Sequence, residues 1–144
     1  MRRLVLANCD TITFKTHFIN AVKAAINEGE PAMNTVTIGM DLGDKNHALC
    51  ILDKSGKVVK QTTITNTSDD LKKFFAKYKG ATVALEAGTH SPWISRHLTA
   101  MGCNVLVGNP RKLRAIWDSN DKSDNRDANM LARIARFDPE LLYP

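Results

Sequence analysis

The chain has 144 residues, of which 43% are hydrophobic and 24% charged, and this balance is that of a water-soluble domain with one packed core. Its net charge is +5 with a pI near 9.2, which favours an anionic partner such as nucleic acid. The longest apolar stretches fall far short of the roughly 20 residues of a membrane helix, so we expect no membrane association.

The cysteines indicate the compartment in which the protein works. Cys9, Cys50 and Cys103 are far apart and form no CxxC pair, which favours neither a disulfide framework nor a zinc site. The first apolar run of the chain is interrupted by Asn8 and Asp10, so we do not expect a secretion signal. A reducing cytoplasm suits this pattern, and we expect a cytoplasmic protein.

Residues 1–32 are predicted to be an N-terminal extension, partly helical or disordered. Apolar residues recur every four positions, as on one face of a short helix, at Phe14, Phe18, Val22 and Ile26. Gly29 and Pro31 then break the pattern. Met33 stands directly before a strong strand, so residues 33–144 are predicted to form the working domain.

Three strand candidates open this domain, at residues 35–42, 46–52 and 57–65. Residues 35–42 and 57–65 are rich in β-branched residues, and a turn at residues 53–56 separates the last two candidates. The short connections predict that neighbouring strands pair in antiparallel fashion.

Helices and strands alternate in the rest of the chain. A helix at residues 69–78, capped by Ser68, precedes a buried strand at 82–86, and a helix opened by Pro92 precedes a buried strand at 104–107. A basic helical segment at 111–117, a polar loop at 118–122 and a last helix from Ser123 to about Phe137 follow. We therefore predict an α/β fold with a mixed sheet, three antiparallel strands continued by parallel strands and flanked by helices. RNase H-like domains use this order of elements.

Two acidic residues stand at the ends of predicted strands, each followed closely by glycine. Asp41 lies in the motif GMDLG, and Glu86 ends the strand at residues 82–86. Sites in α/β sheets form at strand ends, so both are candidate site residues. The structural alternatives, a turn-capping Asp41 and a solvated loop glutamate, stay open at this point.

The last predicted helix carries two more acids near its start. Its apolar stripe consists of Met130, Leu131 and Ile134. Asp127 and Asp124 lie three to four residues further back on the same face, so both are predicted to point inward. Inward carboxylates repel each other and lose hydration, which a bound cation relieves. The alternative is that they are ordinary first-turn acids behind a Ser123 cap.

Hard oxygen donors without a Cys or His cluster favour Mg²⁺ or Mn²⁺ over zinc or copper. Two such ions about 4 Å apart can activate the attacking oxygen and stabilise the leaving oxygen of a phosphodiester. The sequence thus predicts metal-dependent chemistry on DNA. The predicted catalytic residues, which are also the predicted metal ligands, are Asp41, Glu86, Asp124 and Asp127.

A basic stretch lies beside the last two of these acids. The candidate nucleic-acid-binding residues are Arg111, Lys112, Arg114, Lys122 and Arg126. A solvated helix face is the alternative for each of them. His90, Ser91 and Trp93 stand at a predicted helix start, where backbone N–H groups can meet a phosphate. A capping Ser91 and a core Trp93 explain them equally well, and we predict no catalytic serine here.

The segments GMDLG, ALEAGTHSPWISRHL and VLVGNPRKLRAIWDSNDKSDNRDANMLARIAR together resemble the N-terminal DEDD domain of the insertion-sequence transposases of family 110, relatives of the Piv-type DNA invertases. The most specific block joins Asn109-Pro110 to the sequence KSDNRDA, and the resemblance covers residues 34–144. It implies a RuvC-like fold in which the four acids bind the metal.

The resemblance also implies partners and a missing part. Family members exchange DNA strands through a Holliday-like junction, guided by an RNA that the element encodes, and we expect a homo-oligomer of the full-length form. They continue into a second domain that supplies a nucleophilic serine, which we expect to be absent from this chain.

Other functions fit parts of the pattern. A sugar-kinase or chaperone-type ATPase shares a loop like GMDLG, but it needs a second domain and a second glycine-rich phosphate loop. A stand-alone RuvC-like junction resolvase is closer, and the blocks NPRKL and KSDNRDA favour the transposase over it. A non-catalytic nucleic-acid-binding remnant would keep the fold without turnover.

Overall fold

The computed structural model describes residues 36–116 and 123–142, which lie within the compact unit Ala32–Pro144. Its strands are β1 (Thr37–Asp41), β2 (Asn46–Leu52), β3 (Val58–Thr65), β4 (Thr82–Glu86) and β5 (Asn104–Gly108). Its helices are α1 (Ser68–Phe75), α2 (Ser91–Ala100), α3 (Pro110–Ile116) and α4 (Asp124–Phe137), followed by a 3₁₀ turn at Pro139–Leu142. The predicted extension at residues 1–32 and the predicted loop at 118–122 lie outside the described residues.

The strands form one mixed sheet in the order β3-β2-β1-β4-β5. β1, β2 and β3 are antiparallel neighbours, whereas β4 and β5 run parallel to β1. Short turns can join antiparallel strands, whereas the parallel strands β4 and β5 are joined by a crossover that contains α2. The predicted mixed sheet and its RNase H-like order of elements are confirmed.

Helices cover both faces of this sheet and divide the core in two. Alternate residues of β1, β2 and β4 pack under α1 and α2 in the first core, for example Ile38, Leu49 and Val83. Residues on the opposite face pack under α4 and the 3₁₀ turn, for example Ala84 beside Leu131. The period of two along each strand separates these sets.

Helix α4 lies unusually close to β1. A Cβ atom added at Gly39 would come within 1.8 Å of the carbonyl oxygen of Ala128 and 2.5 Å of the backbone nitrogen of Ala132. Two small residues of the helix, Ala128 and Ala132, are fully buried at this contact. The helix backbone therefore rests directly on the strand backbone, which fixes where the start of α4 can lie.

Two predicted helix starts differ from the structure. Thr67, and not Ser68, caps α1, because its side-chain oxygen accepts a hydrogen bond from the backbone N–H of Asp70 at 3.2 Å. Ser123 is the residue before α4 and has an extended backbone, but its side chain makes no capping hydrogen bond. Among the described residues no helix is both long enough and apolar enough to cross a bilayer.

Candidate functional site

The parallel pairing of β1 and β4 places Asp41 beside Glu86. Met40 is the partner of Leu85, and Asp41 and Glu86 are the next residue of each strand. Met40 and Leu85 face the first core. Since side chains alternate along a strand, Asp41 and Glu86 project from the opposite face, the one that α4 covers, on backbones about 4.8 Å apart.

Helix α4 brings the two remaining acids to this part of the sheet. Asp127 directly precedes Ala128, whose backbone touches Gly39 in β1, and Asp124 lies one turn earlier. Asp127 is half-buried, whereas Asp124 is exposed. Asp124 is therefore not buried as predicted, whereas Asp127 is partly buried.

The electrostatics of Asp41 link all four carboxylates. Burial, and after it repulsion from Asp127, Asp124 and Glu86 in that order, together raise the pKa of Asp41 from its ordinary 3.8 to about 6. Each of the other three acids is thus close enough to act on Asp41. A carboxyl group in such a field holds its proton more tightly unless a cation balances the charge.

The carboxylates do not form a ready-made coordination shell. Within residues 36–116 and 123–142, no three side chains of the His, Cys, Asp or Glu type are grouped closely enough to hold a metal ion. The donors nevertheless fit a hard divalent cation in chemistry, since they are carboxylate oxygens, and in charge, since they raise the pKa of Asp41 together. The sequence predicted that the four carboxylates converge on one point, and the described residues do not show this convergence.

A cavity of about 260 Å³ opens at the ends of β1 and β4. Its lining consists of Asp41, Leu42, Asp44, Glu86, Ala87, Gly88, Thr89 and His90. These residues come from the two loops that follow the paired strands. The cavity therefore gives a ligand access to the two strand-end carboxylates.

A buried histidine fixes the loop after β1. His47 is fully buried, its Nδ1 accepts a hydrogen bond from the backbone N–H of Gly43 at 3.2 Å, and its Nε2 lies 3.0 Å from Oδ1 of Asn66. Because Nδ1 accepts, Nε2 carries the proton and donates to Asn66. Burial lowers the pKa of His47, and the nearby His90 imidazole lowers it further against the opposing Asn66 bond. The ring is therefore neutral, and its two hydrogen bonds hold the loop after β1 in place.

Further contacts lead from Asn66 to the cavity. The side-chain amide of Asn66 donates to the carbonyl oxygen of Asp44 at 3.0 Å, and the carboxylate of Asp44 lies 3.0 Å from Nε2 of His90. A chain of contacts thus joins β2, the loop after β1 and the loop after β4. The sequence analysis missed His47, Asn66 and Asp44. Only the alternation in β2, which places His47 on a buried face, gave a signal for the first of them.

Ser91 and Trp93 have structural roles. The hydroxyl of Ser91 accepts from the backbone N–H of Gly88 at 3.0 Å and donates to its carbonyl at 2.9 Å, which closes the turn before α2. Trp93 packs against the first core. The predicted core role of Trp93 is therefore confirmed, whereas Ser91 is the first residue of α2 and closes the preceding turn instead of capping the helix, whose N-cap is His90.

The basic candidates lie partly beside the acids. β5 pairs with β4 so that Gly108 faces Glu86, and α3 begins two residues after Gly108. Its basic residues Arg111, Lys112 and Arg114 are exposed, as is Arg126 in the first turn of α4. Lys122 and Trp117 lie outside the described residues. Exposed cations thus stand at the same edge of the sheet as Glu86.

Comparison with known proteins identifies the family. The sequence model of the DEDD transposases of the IS110 type, described as a transposase, matches residues 38–144. This match covers most of the chain and includes all four acids. The protein therefore belongs to the IS110 family of DEDD transposases.

The chain is also similar to individual known proteins. The transposase for insertion sequence element IS1533 of Leptospira borgpetersenii is 29% identical over 106 residues, which are 70% of this chain and 31% of that relative. The chain thus spans less than half of that protein. Among solved structures, Thermus thermophilus RuvC has a TM-score of 0.49 at 14% identity and covers 72% of this chain and 96% of its own. T. thermophilus RuvC in complex with Holliday junction substrate has a TM-score of 0.47 at 11% identity and covers 68% and 90%.

Proposed function

We propose that residues 33–144 form the catalytic domain of a transposase that cleaves and exchanges DNA strands with the help of Mg²⁺ or Mn²⁺. The observation that carries this proposal is the raised pKa of Asp41, because it places three further carboxylates within electrostatic reach of one strand-end acid. Membership of a transposase family supplies the substrate class. The remaining 1–32 segment is an extension outside this domain.

The metal would be held by the oxygens of Asp41, Glu86, Asp124 and Asp127. When bound, such an ion supplies activation of the attacking oxygen and stabilisation of the leaving oxygen. The chain itself contributes the positions of these acids: the parallel register sets Asp41 beside Glu86, and the contact of α4 with Gly39 sets Asp127. His47 holds the loop that follows Asp41.

The nucleic-acid partner would contact the basic edge of the domain. Arg111, Lys112 and Arg114 on α3 are exposed next to the strand that pairs with β4, and Arg126 is exposed near the two acids of α4. Positive side chains in such places neutralise phosphates and give salt-dependent affinity. Lys122 belongs to the same proposed set.

Several features of the complete machine belong to this proposal as well. We propose an RNA guide, a homo-oligomer of the full-length form and action in the cytoplasm. The buried free thiols of Cys50 and Cys103 suit a reducing compartment. A serine-bearing second domain would complete strand exchange.

Cleavage of a branched DNA tests the proposal. A labelled four-way DNA junction is incubated with the protein in Mg²⁺, Mn²⁺ or EDTA, and nicked strands are counted on a denaturing gel. We expect nicking that needs the metal and falls at least about 100-fold in Asp41→Asn, Glu86→Gln, Asp124→Asn and Asp127→Asn. Asp69→Asn, an exposed first-turn acid of α1, is the matched control and should keep the full rate.

The outcome also separates an enzyme, whether transposase or junction resolvase, from a non-catalytic nucleic-acid-binding remnant. Junction binding with no nicking in either metal, unchanged by the four substitutions, would identify a non-catalytic nucleic-acid-binding domain. Nicking that survives Asp41→Asn would contradict the proposed site.

A further inference from the structure

One titratable pair in the cavity has no part in the proposed metal site. His90 lines the same cavity as Asp41 and Glu86, and its Nε2 lies 3.0 Å from the carboxylate of Asp44. We propose that His90, oriented by Asp44, is a catalytic residue that donates a proton to the leaving 3′ oxygen of the cleaved phosphodiester. This inference rests on the proposed function and adds a proton donor to it.

The backbones of both partners are held before any substrate binds. The amide of Asn66 fixes the carbonyl of Asp44, and His47 fixes the neighbouring N–H of Gly43. On the other side, the carbonyl of His90 accepts the first hydrogen bond of α2 from Ile94, and the Ser91 hydroxyl closes the turn from Gly88. The backbone is thus fixed at both partners, and the contact with Asp44 positions the imidazole in the cavity wall.

The exposure of the pair suits a group that meets an incoming substrate. The side chain of His90 is 27% exposed, whereas that of Asp44 is 97% exposed. The histidine thus sits between solvent, from which it regains a proton, and the cavity with the two strand-end acids. A carboxylate that accepts from one ring nitrogen orients the other nitrogen, which is the arrangement required of a positioned acid.

The titratable neighbours of His90 come from β1 and its following loop, from β2 and from β4. Asp44 contacts it directly, Asp41 and Glu86 share its cavity, and the neutral imidazole of His47 lies near enough to interact electrostatically. Because a carboxylate only accepts hydrogen bonds, Nε2–H donates to Asp44, and the proton transferred in the proposed step is the one on Nδ1.

The proposed step balances with water as the nucleophile. A water oxygen attacks phosphorus, the bond from phosphorus to the 3′ oxygen breaks, and its electron pair stays on that oxygen. Nδ1 of His90 gives its proton to the 3′ oxygen, which leaves as a hydroxyl, while the water proton passes to solvent and the new strand end carries a 5′ phosphate. Solvent then returns a proton to His90.

A substrate whose leaving group needs no proton tests the step. A four-way DNA junction is prepared with either oxygen or sulfur at the bridging 3′ position, and both are assayed with wild type, His90→Gln, Asp44→Asn and Asp41→Asn. A thiolate leaves without protonation far more readily than an alkoxide does, since thiols are much stronger acids than alcohols.

We expect His90→Gln to slow cleavage of the oxygen substrate about 100-fold to 10,000-fold. Asp44→Asn should cause a smaller loss, about tenfold. The sulfur substrate should restore both variants to within a few-fold of wild type, whereas Asp41→Asn stays inactive on both. His97→Gln is the matched control, because His97 lies on α2 and does not line the cavity, and this variant should cleave both substrates like wild type.

A binding measurement makes the test independent of turnover. Nitrogen-15 spectra of the imidazole rings are recorded while the oxygen junction is added. Ca²⁺ replaces Mg²⁺ in this titration so that the junction is not cleaved. We expect the His90 ring signals to shift on binding in wild type and to shift differently in Asp44→Asn.

The outcomes separate the two proposals. Cleavage that is unaffected by His90→Gln, or a loss that sulfur does not restore, would overturn the role of His90 and leave the metal site standing. Junction binding that leaves the His90 ring signals unmoved would do the same, even without turnover. A protein that neither binds nor cleaves the junction would refute the proposed function, and the His90 proposal with it.

Discussion

The ionised carboxylate of Asp41 destabilises the fold, because it is partly buried near three other acids. Its carboxyl group is half-buried in the field of three other acids, and its pKa is raised to about 6. A raised folded-state pKa means that the folded chain binds more protons than the unfolded chain between pH 3.8 and about 6. This acid therefore supports the fold fully below pH 3.8 and loses that contribution as pH rises through about 6.

We predict that Asp41→Asn raises the thermal stability of the metal-free protein at pH 7.5. The reason is that the neutral amide removes a half-buried charge from three like charges. The gain should be a few degrees and should shrink as the pH is lowered toward 4, where Asp41 is already protonated. Differential scanning calorimetry in EDTA at several pH values measures it.

Glu140→Gln is the matched control for this prediction, because Glu140 is an exposed acid in the final 3₁₀ turn. It should leave the transition temperature nearly unchanged at every pH. An Asp41→Asn variant that melts below wild type at pH 7.5 would show that Asp41 stabilises the fold, contrary to the electrostatic argument.

At the scale of elements, the contact between α4 and β1 controls the site. We predict that Gly39→Ala destabilises the domain by about 3 kcal/mol or more, because the added methyl group meets helix backbone that cannot yield by a rotamer change. Urea denaturation followed by circular dichroism measures the loss.

Gly88→Ala is the control for Gly39→Ala, since a Cβ atom at Gly88 meets nothing within 4 Å. It should unfold within about 1 kcal/mol of wild type. Equal stability of the Gly39→Ala variant and wild type would mean that α4 is not seated on β1 as described.

The elements of the fold were largely predictable from local pattern. The short apolar runs of β2 and β4 predicted their bounds without error, and the acidic strand ends Asp41 and Glu86 were visible as polar residues that close apolar runs. Cap identity was harder, because Thr67 and Ser68 are adjacent and both suit the role, and only backbone geometry chose Thr67.

The site was predictable only in part. The positions of the four acids along the chain suggested a common site, but the exposure of Asp124 depends on how α4 packs on the sheet, which is a tertiary property. The hydrogen bond between His47 and Asn66 joins residues 19 positions apart. No local pattern signals such a pair, since each residue is ordinary in its own segment.

At the scale of the whole molecule, the four acids should couple metal binding to global stability. We predict that Mg²⁺ or Mn²⁺ raises the unfolding temperature, because a ligand that binds only the folded state at about 100 times its Kd adds about 2.7 kcal/mol. Thermal melts with and without EDTA measure the shift.

The Asp41→Asn and Asp127→Asn variants sharpen this measurement. Both should lose the metal response, although the first should melt higher than wild type in EDTA. Glu140→Gln should respond to metal as wild type does. Absence of a response in both Mg²⁺ and Mn²⁺ would count against the carboxylates as a metal site.

The seating of α4 on Gly39 has a consequence for biosynthesis. β1 and α4 stand at opposite ends of the described chain, so a ribosome has exposed Asp41 and Glu86 long before it delivers Asp124 and Asp127. Until the last helix docks, half of the acids are missing from the sheet. A partly synthesised or partly unfolded copy consequently lacks half of the acids, and the proposed metal site is complete only in the finished domain.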